Sequence, residues 1–173
     1  HGWCPFRQYD WDWFVFRKQE QYRVTSKLCV RDDFDHPSHN EWTTRLRLSG
    51  KLLRKEWEFV QLASAIEERG LLLPGRKGIG FGVGKESLTA SFAAAGCQVL
   101  ATDIPSEKWD TLQWEETLNE KSICPPAEFS KNVSTRFLDM NQIPSDLAGF
   151  DFAWSACSLD HLGTIWMSER FIF

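Results

Sequence analysis

Glycine stands at every second position of the run GIGFGVG, which spans residues 78–84. The run closes an apolar segment that predicts a strand (76–81), and a segment rich in small residues that predicts a helix (86–95) follows it. Because glycine has no Cβ, the backbone can turn sharply between two such elements and a ligand can approach it closely. The run therefore predicts a strand–turn–helix unit whose turn either binds a ligand or serves only as a connection.

The spacing of these glycines excludes the two most familiar phosphate-binding loops. The dinucleotide motif GxGxxG would need its third glycine at Val83, Lys85 or Ser87. The P-loop motif GxxxxGK[ST] would need glycine at Ile79 and, at Glu86, the hydroxyl residue that holds magnesium. The pattern that remains is GxGxG, which is short and weakly specific when it occurs alone.

The rest of the chain alternates between helical and strand patterns. Apolar residues at helical spacing or small residues span 51–69, 86–95 and 106–119, and strand patterns span 76–81, 98–102, 133–138 and 150–155. Pro125 and Pro126 interrupt the chain before the third strand. Alternating strands and helices predict βαβ units, and so an α/β fold with a mostly parallel sheet flanked by helices.

Residues 1–50 differ in character from the remainder of the chain. They are crowded with aromatic side chains without a clear period, and the acidic stretch 32–41 predicts a loop with Pro37 as its breaker. We therefore expect an aromatic-rich extension or cap (1–50) followed by the α/β domain (51–173). The chain starts at His1 and stops at Phe173 within a predicted helix or loop, so we expect a fragment that lacks the C-terminal strands.

Two acidic residues follow predicted strands. Asp103 ends the second strand, roughly 20 residues after Gly84, where doubly wound folds place the carboxylate that accepts hydrogen bonds from ribose hydroxyls. Asp139 ends the third strand beside Met140, so that a carboxylate and an apolar surface could together bind an adenine ring. The alternatives are a solvated loop or helix-cap aspartate at 103 and a turn aspartate at 139.

The order of these features resembles that of class I S-adenosylmethionine-dependent methyltransferases. The matching parts are GxGxG, the two acids, and the segment FDFAWSACSLDHL (150–162) over the fourth strand. The resemblance covers residues 51–165 and implies a Rossmann-like, doubly wound fold with S-adenosyl-L-methionine bound at the carboxyl ends of the strands. It implies that the glycine loop faces the methionine part, Asp103 the ribose, and Asp139 with Met140 the adenine, and that Ser155 lies beneath the cofactor. The expected cofactor-binding residues are Gly80, Phe81, Gly82, Val83, Gly84, Glu86, Asp103, Ile104, Asp139, Met140 and Ser155.

One position departs from the family pattern. The family usually carries an acid two residues before the first motif glycine, near the methionine amino group, and here Gly78 occupies that position. Glu86, directly after the loop, is our candidate for the replacement countercharge. The same departure leaves a third interpretation open, in which the chain is a non-catalytic interaction domain that retains the fold but has lost the cofactor.

His161 is the candidate general base. Histidine exchanges protons near neutral pH, and His161 follows the fourth strand, close to the expected cleft. The alternative is that it caps or packs against the next helix. A base is needed only if the methyl acceptor must lose a proton; we expect the acceptor to be a small molecule or a saccharide. A nicotinamide-dependent oxidoreductase on a related fold is the competing enzyme class, and the absence of GxGxxG argues against it.

Two charged clusters predict solvated surface. His36 and His39 lie among Asp32, Asp33 and Asp35, which is weak evidence for metal, so we expect a solvated acidic loop and no metal site. The basic residues of the predicted helix at 51–69 and the segment before it would form a solvated face or contact a phosphate on a nucleotide-sugar acceptor. They are Arg45, Arg47, Lys51, Arg54 and Lys55.

Charge and cysteine usage exclude further classes. The net charge is −4, which argues against a nucleic-acid partner. The five cysteines are scattered without a CxxC pair, which favours a reducing, cytoplasmic location over a disulfide framework. The apolar runs are far shorter than the roughly 20 residues that span a bilayer, so we expect no membrane partner.

Overall fold

A parallel four-stranded sheet forms the centre of the computed structural model, which describes residues 27–104 and 111–172. The strands are β1 (Lys77–Phe81), β2 (Gln98–Asp103), β3 (Val133–Phe137) and β4 (Phe152–Ser155). Their order is β3-β2-β1-β4, and all neighbouring pairs are parallel. The strand order reverses between β1 and β4, and such switch points place a crevice at the carboxyl ends of the strands. The predicted α/β, Rossmann-like architecture is confirmed.

Six α-helices and two short 3₁₀ helices surround the sheet in the described part of the chain. The α-helices are α1 (Pro37–Arg45), α2 (Arg54–Glu68), α3 (Leu88–Ala94), α4 (Thr111–Thr117), α5 (Pro126–Asn132) and α6 (Ile165–Ile172), and the 3₁₀ helices are Arg31–Asp35 and Leu159–Leu162. The predicted helices correspond to α2, α3 and α4 with shorter bounds. The first part of the predicted helix at 106–119 and the aromatic residues of 1–26 lie outside the described residues.

Glycines follow the ends of α2 and α3. Gly70 and Gly96 adopt left-handed conformations with φ of +66° and +86°. After α2, the Gly70 N–H donates to Glu67 and the Leu71 N–H donates to Ile66, which satisfies carbonyls that the helix leaves unpaired. Glycine suits this position because a Cβ disfavours the left-handed region.

Helix α5 is absent from the sequence prediction. Pro125 and Pro126 were expected only to interrupt the chain, whereas Pro126 is the first residue of the helix. Proline is tolerated there because its missing N–H would have no partner within the helix and its φ already suits helical geometry.

The loop prediction for residues 32–41 is wrong. The 3₁₀ helix and the start of α1 occupy this stretch, Pro37 begins α1, and the His36 Nδ1 atom accepts from the Ser38 N–H at 3.2 Å. Asp33 and His39 are buried, so they are not solvated as expected. Among the described residues, no group of three His, Cys, Asp or Glu side chains is arranged to hold a metal ion.

The main core joins α1 and α2 to the sheet and to α3. Trp42 and Leu46 of α1 belong to the same buried cluster as Val60 of α2 and Phe92 of α3. Phe92 packs edge-on against Trp154 of β4, with ring centroids 5.0 Å apart. The described part of residues 1–50 therefore packs onto the sheet domain, while the division of the chain at residue 50 stays a prediction.

Within residues 27–104 and 111–172, every helix is too short or too polar to span a membrane. Each of the four cysteines in these ranges, Cys29, Cys97, Cys124 and Cys157, is a free thiol.

Candidate ligand-binding site

A cavity of about 390 Å³ lies at the carboxyl ends of the four strands. The glycine loop after β1, the ends of β2 and β3, the segment after β4 and one side of α2 line it. Its volume falls within the range of roughly 300–1,000 Å³ that is typical of small-molecule sites. The sheet therefore presents a ligand-sized cavity at its topological switch point.

The glycine loop owes its shape to two left-handed residues. Gly82 and Gly84 have φ of +62° and +52°, a region that residues with a Cβ rarely adopt. A Cβ at Gly82 would lie 2.7 Å from the Cβ of Ser158, whereas one at Gly84 would meet nothing closer than Asp103 at 4.0 Å. The N–H of Val83 donates to the Thr102 carbonyl, which fastens the loop to β2.

The two earlier glycines serve the packing of the sheet. Gly78 lies opposite Phe152 and Gly80 opposite Trp154 in the β1–β4 pairing. A Cβ at either glycine would lie 2.4 Å from the aromatic ring opposite. This explains the departure from the family pattern, because the Phe152 ring fills the space that an acidic side chain at position 78 would need.

Asp103 connects the end of β2 to the glycine loop. One carboxylate oxygen accepts from the Gly84 N–H and the other from the Ile104 N–H, both at 2.7 Å. A carboxylate oxygen can accept more than one hydrogen bond, so each oxygen retains capacity for a further donor. Asp103 lines the cavity with this capacity available to a ligand.

Asp139 and Met140 line the same cavity from the end of β3. The Leu138 N–H donates to the Asp103 carbonyl at 2.7 Å, which keeps the ends of β2 and β3 together. Asp139 Oδ1 accepts from the Asn141 N–H at 2.8 Å, as in an Asx turn. Asp139 is therefore both a turn residue and a residue of the cavity wall, and Asp103 and Asp139 line the same cavity.

Glu86 is a buried carboxyl group in the cavity wall. It is 6% exposed, and Trp154 Nε1 donates to its Oε1 at 2.5 Å. Burial raises the pKa of Glu86 to about 8, against the opposing effects of the Trp154 hydrogen bond and the Lys55 charge. A carboxyl group with this pKa readily becomes ionised when a cation binds beside it.

Lys55 and Phe59 enter the cavity wall from α2. Lys55 Nζ lies 5.8 Å from the centre of the Phe59 ring. Lys55 is exposed, as predicted for the basic cluster. Its position on the wall of this cavity was not predicted. Hydrophobic periodicity identifies the buried face of α2 and gives no signal for a lysine that reaches a cavity from its edge.

His161 lies at the exposed rim of the cavity. Its side chain is 80% exposed, and its Nε2 atom is 3.8 Å from Asp160 Oδ1. The alternative that His161 packs against the next helix is therefore wrong. The 3₁₀ helix Leu159–Leu162 places it there, directly after the segment that follows β4.

The structure brings most of the expected site residues together. Those on the cavity are Gly82, Val83, Gly84, Glu86, Asp103, Ile104, Asp139, Met140 and His161. Gly80, Phe81 and Ser155 lie outside its lining: Gly80 packs on Trp154, Phe81 packs on Phe171, and Ser155 donates to the Phe81 carbonyl. Nine further residues on the cavity were not predicted as site residues: Lys55, Phe59, Lys85, Leu138, Asn141, Ala156, Cys157, Ser158 and Leu162. Five of the nine adjoin predicted residues in the chain, so chain proximity was the available signal.

No protein-family model and no curated protein sequence matches this chain. Solved structures with a similar fold include the magnesium protoporphyrin IX methyltransferase ChlM from Synechocystis PCC 6803 with bound SAM. It is 19% identical with a TM-score of 0.49, over 86% of this chain and 71% of that one. The glycopeptide N-methyltransferase MtfA is 14% identical with a TM-score of 0.46, over 64% of this chain and 46% of that one.

Haemonchus contortus phosphoethanolamine N-methyltransferase 1 is 16% identical with a TM-score of 0.36, over 83% of this chain and 30% of that one. The chain spans about half the length of several of the solved proteins that it matches. These are similarities of fold.

Proposed function

We propose that this chain is the cofactor-binding part of an S-adenosylmethionine-dependent methyltransferase that acts on a small-molecule or saccharide acceptor. The observation that carries the proposal is the position of Asp103 and Asp139. They follow neighbouring parallel strands, face one cavity, and flank a glycine loop that lines that cavity. A reducing, cytoplasmic location belongs to the same proposal and is supported by the scattered cysteines.

The residues present fit an adenosyl group. Asp103 retains acceptor capacity for two ribose hydroxyls, and Asp139 can accept from the adenine amino group. Leu138, Met140 and Ile104 supply apolar surface on the cavity wall for the flat ring. The division of labour between carboxylates and apolar side chains therefore suits a nucleoside.

The amino-acid end of the cofactor carries one positive and one negative group, and the cavity offers a partner for each. Glu86 would hold the ammonium group in place of an acid at position 78, and Lys55, whose charge already influences Glu86, would hold the carboxylate. The open space at the Cβ position of Gly84 lets the loop backbone approach the amino-acid end of the ligand. This arrangement supports a zwitterionic ligand over a nucleotide phosphate.

When bound, the cofactor supplies a methyl group on a positively charged sulfur, which is already activated for displacement. The work of this chain is then to orient the reactants and to exclude water from the cavity. His161, at the rim, would accept a proton from an acceptor that must lose one. The requirement for His161 thus depends on the acceptor, and loss of its imidazole is expected to lower turnover far more than cofactor affinity.

Calorimetry with S-adenosylhomocysteine tests the proposal directly, and a separate titration with NADH is the comparison. We expect heat of binding with S-adenosylhomocysteine and none with NADH. Heat only with NADH would favour an oxidoreductase, and the absence of heat with both at millimolar concentration would favour a domain that has lost the cofactor.

A further inference from the structure

A second cavity, of about 520 Å³, lies between α2 and the segment that follows β4. One face of α2 lines it: Arg54, Glu58, Leu62 and Ala65 follow one another at the three- and four-residue spacing of a helix side, and Trp57 lies beside them. The opposite wall is the stretch 155–160. No role for this cavity follows from the resemblance of the sequence to methyltransferases.

The two cavities share a wall. Ala156, Cys157 and Ser158 line both of them. All three residues have small side chains, and the two cavities adjoin along this segment. Cys157 has a left-handed backbone with φ of +55°, which is uncommon for a residue with a Cβ and bends the segment at the boundary. A molecule in the second cavity would therefore lie next to the cofactor cavity.

Glu58 is the central polar group of the second cavity. Its side chain is 21% exposed, with one carboxylate oxygen accepting from the Arg54 guanidinium and the other from the Cys157 thiol. Burial, followed by the neighbouring Glu58 carboxylate, raises the pKa of Cys157 to about 11, so its thiol remains a hydrogen-bond donor. The Glu58 side chain is thereby held in one orientation at the shared wall.

The charges on this cavity favour a cationic ligand. Its lining carries two carboxylates, Glu58 and Asp160, against one guanidinium. That guanidinium belongs to Arg54, which is already engaged with Glu58, so an anionic ligand would meet no uncommitted cation among the residues that line the cavity. Leu62 and Ala65 supply apolar surface for the rest of the ligand.

We propose that the second cavity binds the methyl acceptor and that this acceptor is an organic amine with an apolar body, whose ammonium group is bound by Glu58. The inference rests on the proposed function for its methyl donor. Binding by a carboxylate at the shared wall would place the nitrogen atom at the side of the cavity that faces the cofactor. Before transfer the ammonium group would give up one proton to the Glu58 carboxylate. The neutral nitrogen would then bond to the methyl carbon as the bond from that carbon to sulfur breaks, with S-adenosylhomocysteine as the leaving group.

Three small probes that differ only in their polar group test the site by ligand-observed NMR, on the full chain saturated with S-adenosylhomocysteine. They are phenethylamine, 2-phenylethanol and 3-phenylpropionate. We expect the amine to bind about tenfold more tightly than the alcohol, the range for a hydrogen bond to a charged group, and the carboxylate to bind most weakly. Equal affinity for amine and alcohol would overturn the proposal.

Variants locate the binding on Glu58. Glu58→Gln keeps the shape and should lower amine affinity about tenfold or more, while Glu68→Gln, an exposed acid at the end of the same helix, should leave it unchanged. Ala65→Phe fills the apolar end and should weaken binding of all three probes, which tests the cavity without altering a charge. Full amine affinity in Glu58→Gln, or in a folded Ala65→Phe protein, would overturn the proposal.

The same titrations separate this inference from the proposed function. Binding of S-adenosylhomocysteine without amine selectivity rejects the amine site alone. Amine binding that depends on Glu58, in a chain that does not bind S-adenosylhomocysteine, rejects the methyltransferase assignment, and the cavity then remains as an amine site of another protein class.

Discussion

Asp103 accepts a hydrogen bond from the backbone N–H of Gly84 at 2.7 Å, and this contact joins the end of β2 to the glycine loop. The same carboxylate is the expected acceptor for ribose hydroxyls. One side chain therefore shapes the loop and lines the cavity, so the loss of its charge should affect both the loop and the proposed ligand contact.

Asp103→Asn tests this double role. The amide retains the size of the side chain but has only one acceptor atom and no charge, so both the loop contact and the ribose contact weaken. We expect the affinity for S-adenosylhomocysteine to fall by about 10–100-fold, equivalent to the loss of one or two charge-assisted hydrogen bonds. Calorimetry measures this, with exposed Asp32→Asn as the control that should bind normally.

Gly82→Ala should destabilise the glycine loop and prevent binding of the ligand. The new Cβ would require a left-handed backbone and would lie 2.7 Å from the Ser158 Cβ. We expect a loss of about 1–3 kcal/mol in the free energy of unfolding and no detectable binding of S-adenosylhomocysteine. Gly50→Ala is the matched control, because Gly50 is also left-handed but has open space around its Cβ position. Normal ligand binding by Gly82→Ala would contradict the proposed role of the loop.

An acid at the usual family position should harm this protein. Gly78→Asp would drive a side chain into the Phe152 ring, 2.4 Å from the Cβ position, and would bury a charge. We expect a lower midpoint of chemical denaturation and no gain in affinity for S-adenosylhomocysteine. Gly78→Asp combined with Phe152→Ala should recover part of the lost stability relative to the sum of the two single variants. Strictly additive losses would show that Phe152 is not the obstacle.

Glu86 should make the stability of the chain depend on pH. Its pKa is raised from 4.5 to about 8, so between these values the folded state holds a proton that the unfolded state releases. The contribution of Glu86 to the free energy of unfolding is therefore full below about pH 4.5, decreases as the pH rises, and is lost above about pH 8. Glu86→Gln removes this dependence and should raise the melting temperature at pH 9 by at least about 2–4 °C relative to the unchanged chain. Identical melting curves from pH 6 to pH 9 would contradict the burial of an ionisable group.

The same carboxyl group should couple ligand binding to proton release. An ammonium group beside Glu86 favours its ionised form, as Lys55 does already, while Asp103 opposes it. The affinity for S-adenosylhomocysteine should therefore rise between pH 6 and pH 8, with about one proton released per ligand near pH 7. Calorimetry in buffers of different ionisation enthalpy counts these protons. Glu86→Gln should bind weakly without release, and unchanged release in that variant would assign the proton to another group.

Local pattern was sufficient for much of the fold. The strands, α2 and α3 were predicted within a few residues, since hydrophobic spacing and helix-ending glycines such as Gly70 and Gly96 are encoded in neighbouring residues. Helices α1 and α5 were missed, and at both proline was interpreted as a breaker, although at the first turn it is compatible with a helix.

The candidate site was predictable to a similar extent and for a similar reason. In a parallel sheet the carboxyl ends of all strands lie at one edge, so Asp103 and Asp139 could be placed together from the strand pattern alone. Lys55 could not, because its approach depends on how α2 packs across the sheet.

The sequence by itself determined the alternation of strands and helices, the GxGxG turn and the acids at the strand ends, because each is a property of a short stretch of chain. The tertiary structure alone decided which glycines line the cavity and which pack against a neighbouring ring. It also decided that Glu86 is buried against Trp154 and that a second cavity adjoins the first. These properties arise when β4 pairs with β1 across more than 70 intervening positions, and no local pattern specifies the side chains that such a pairing brings together.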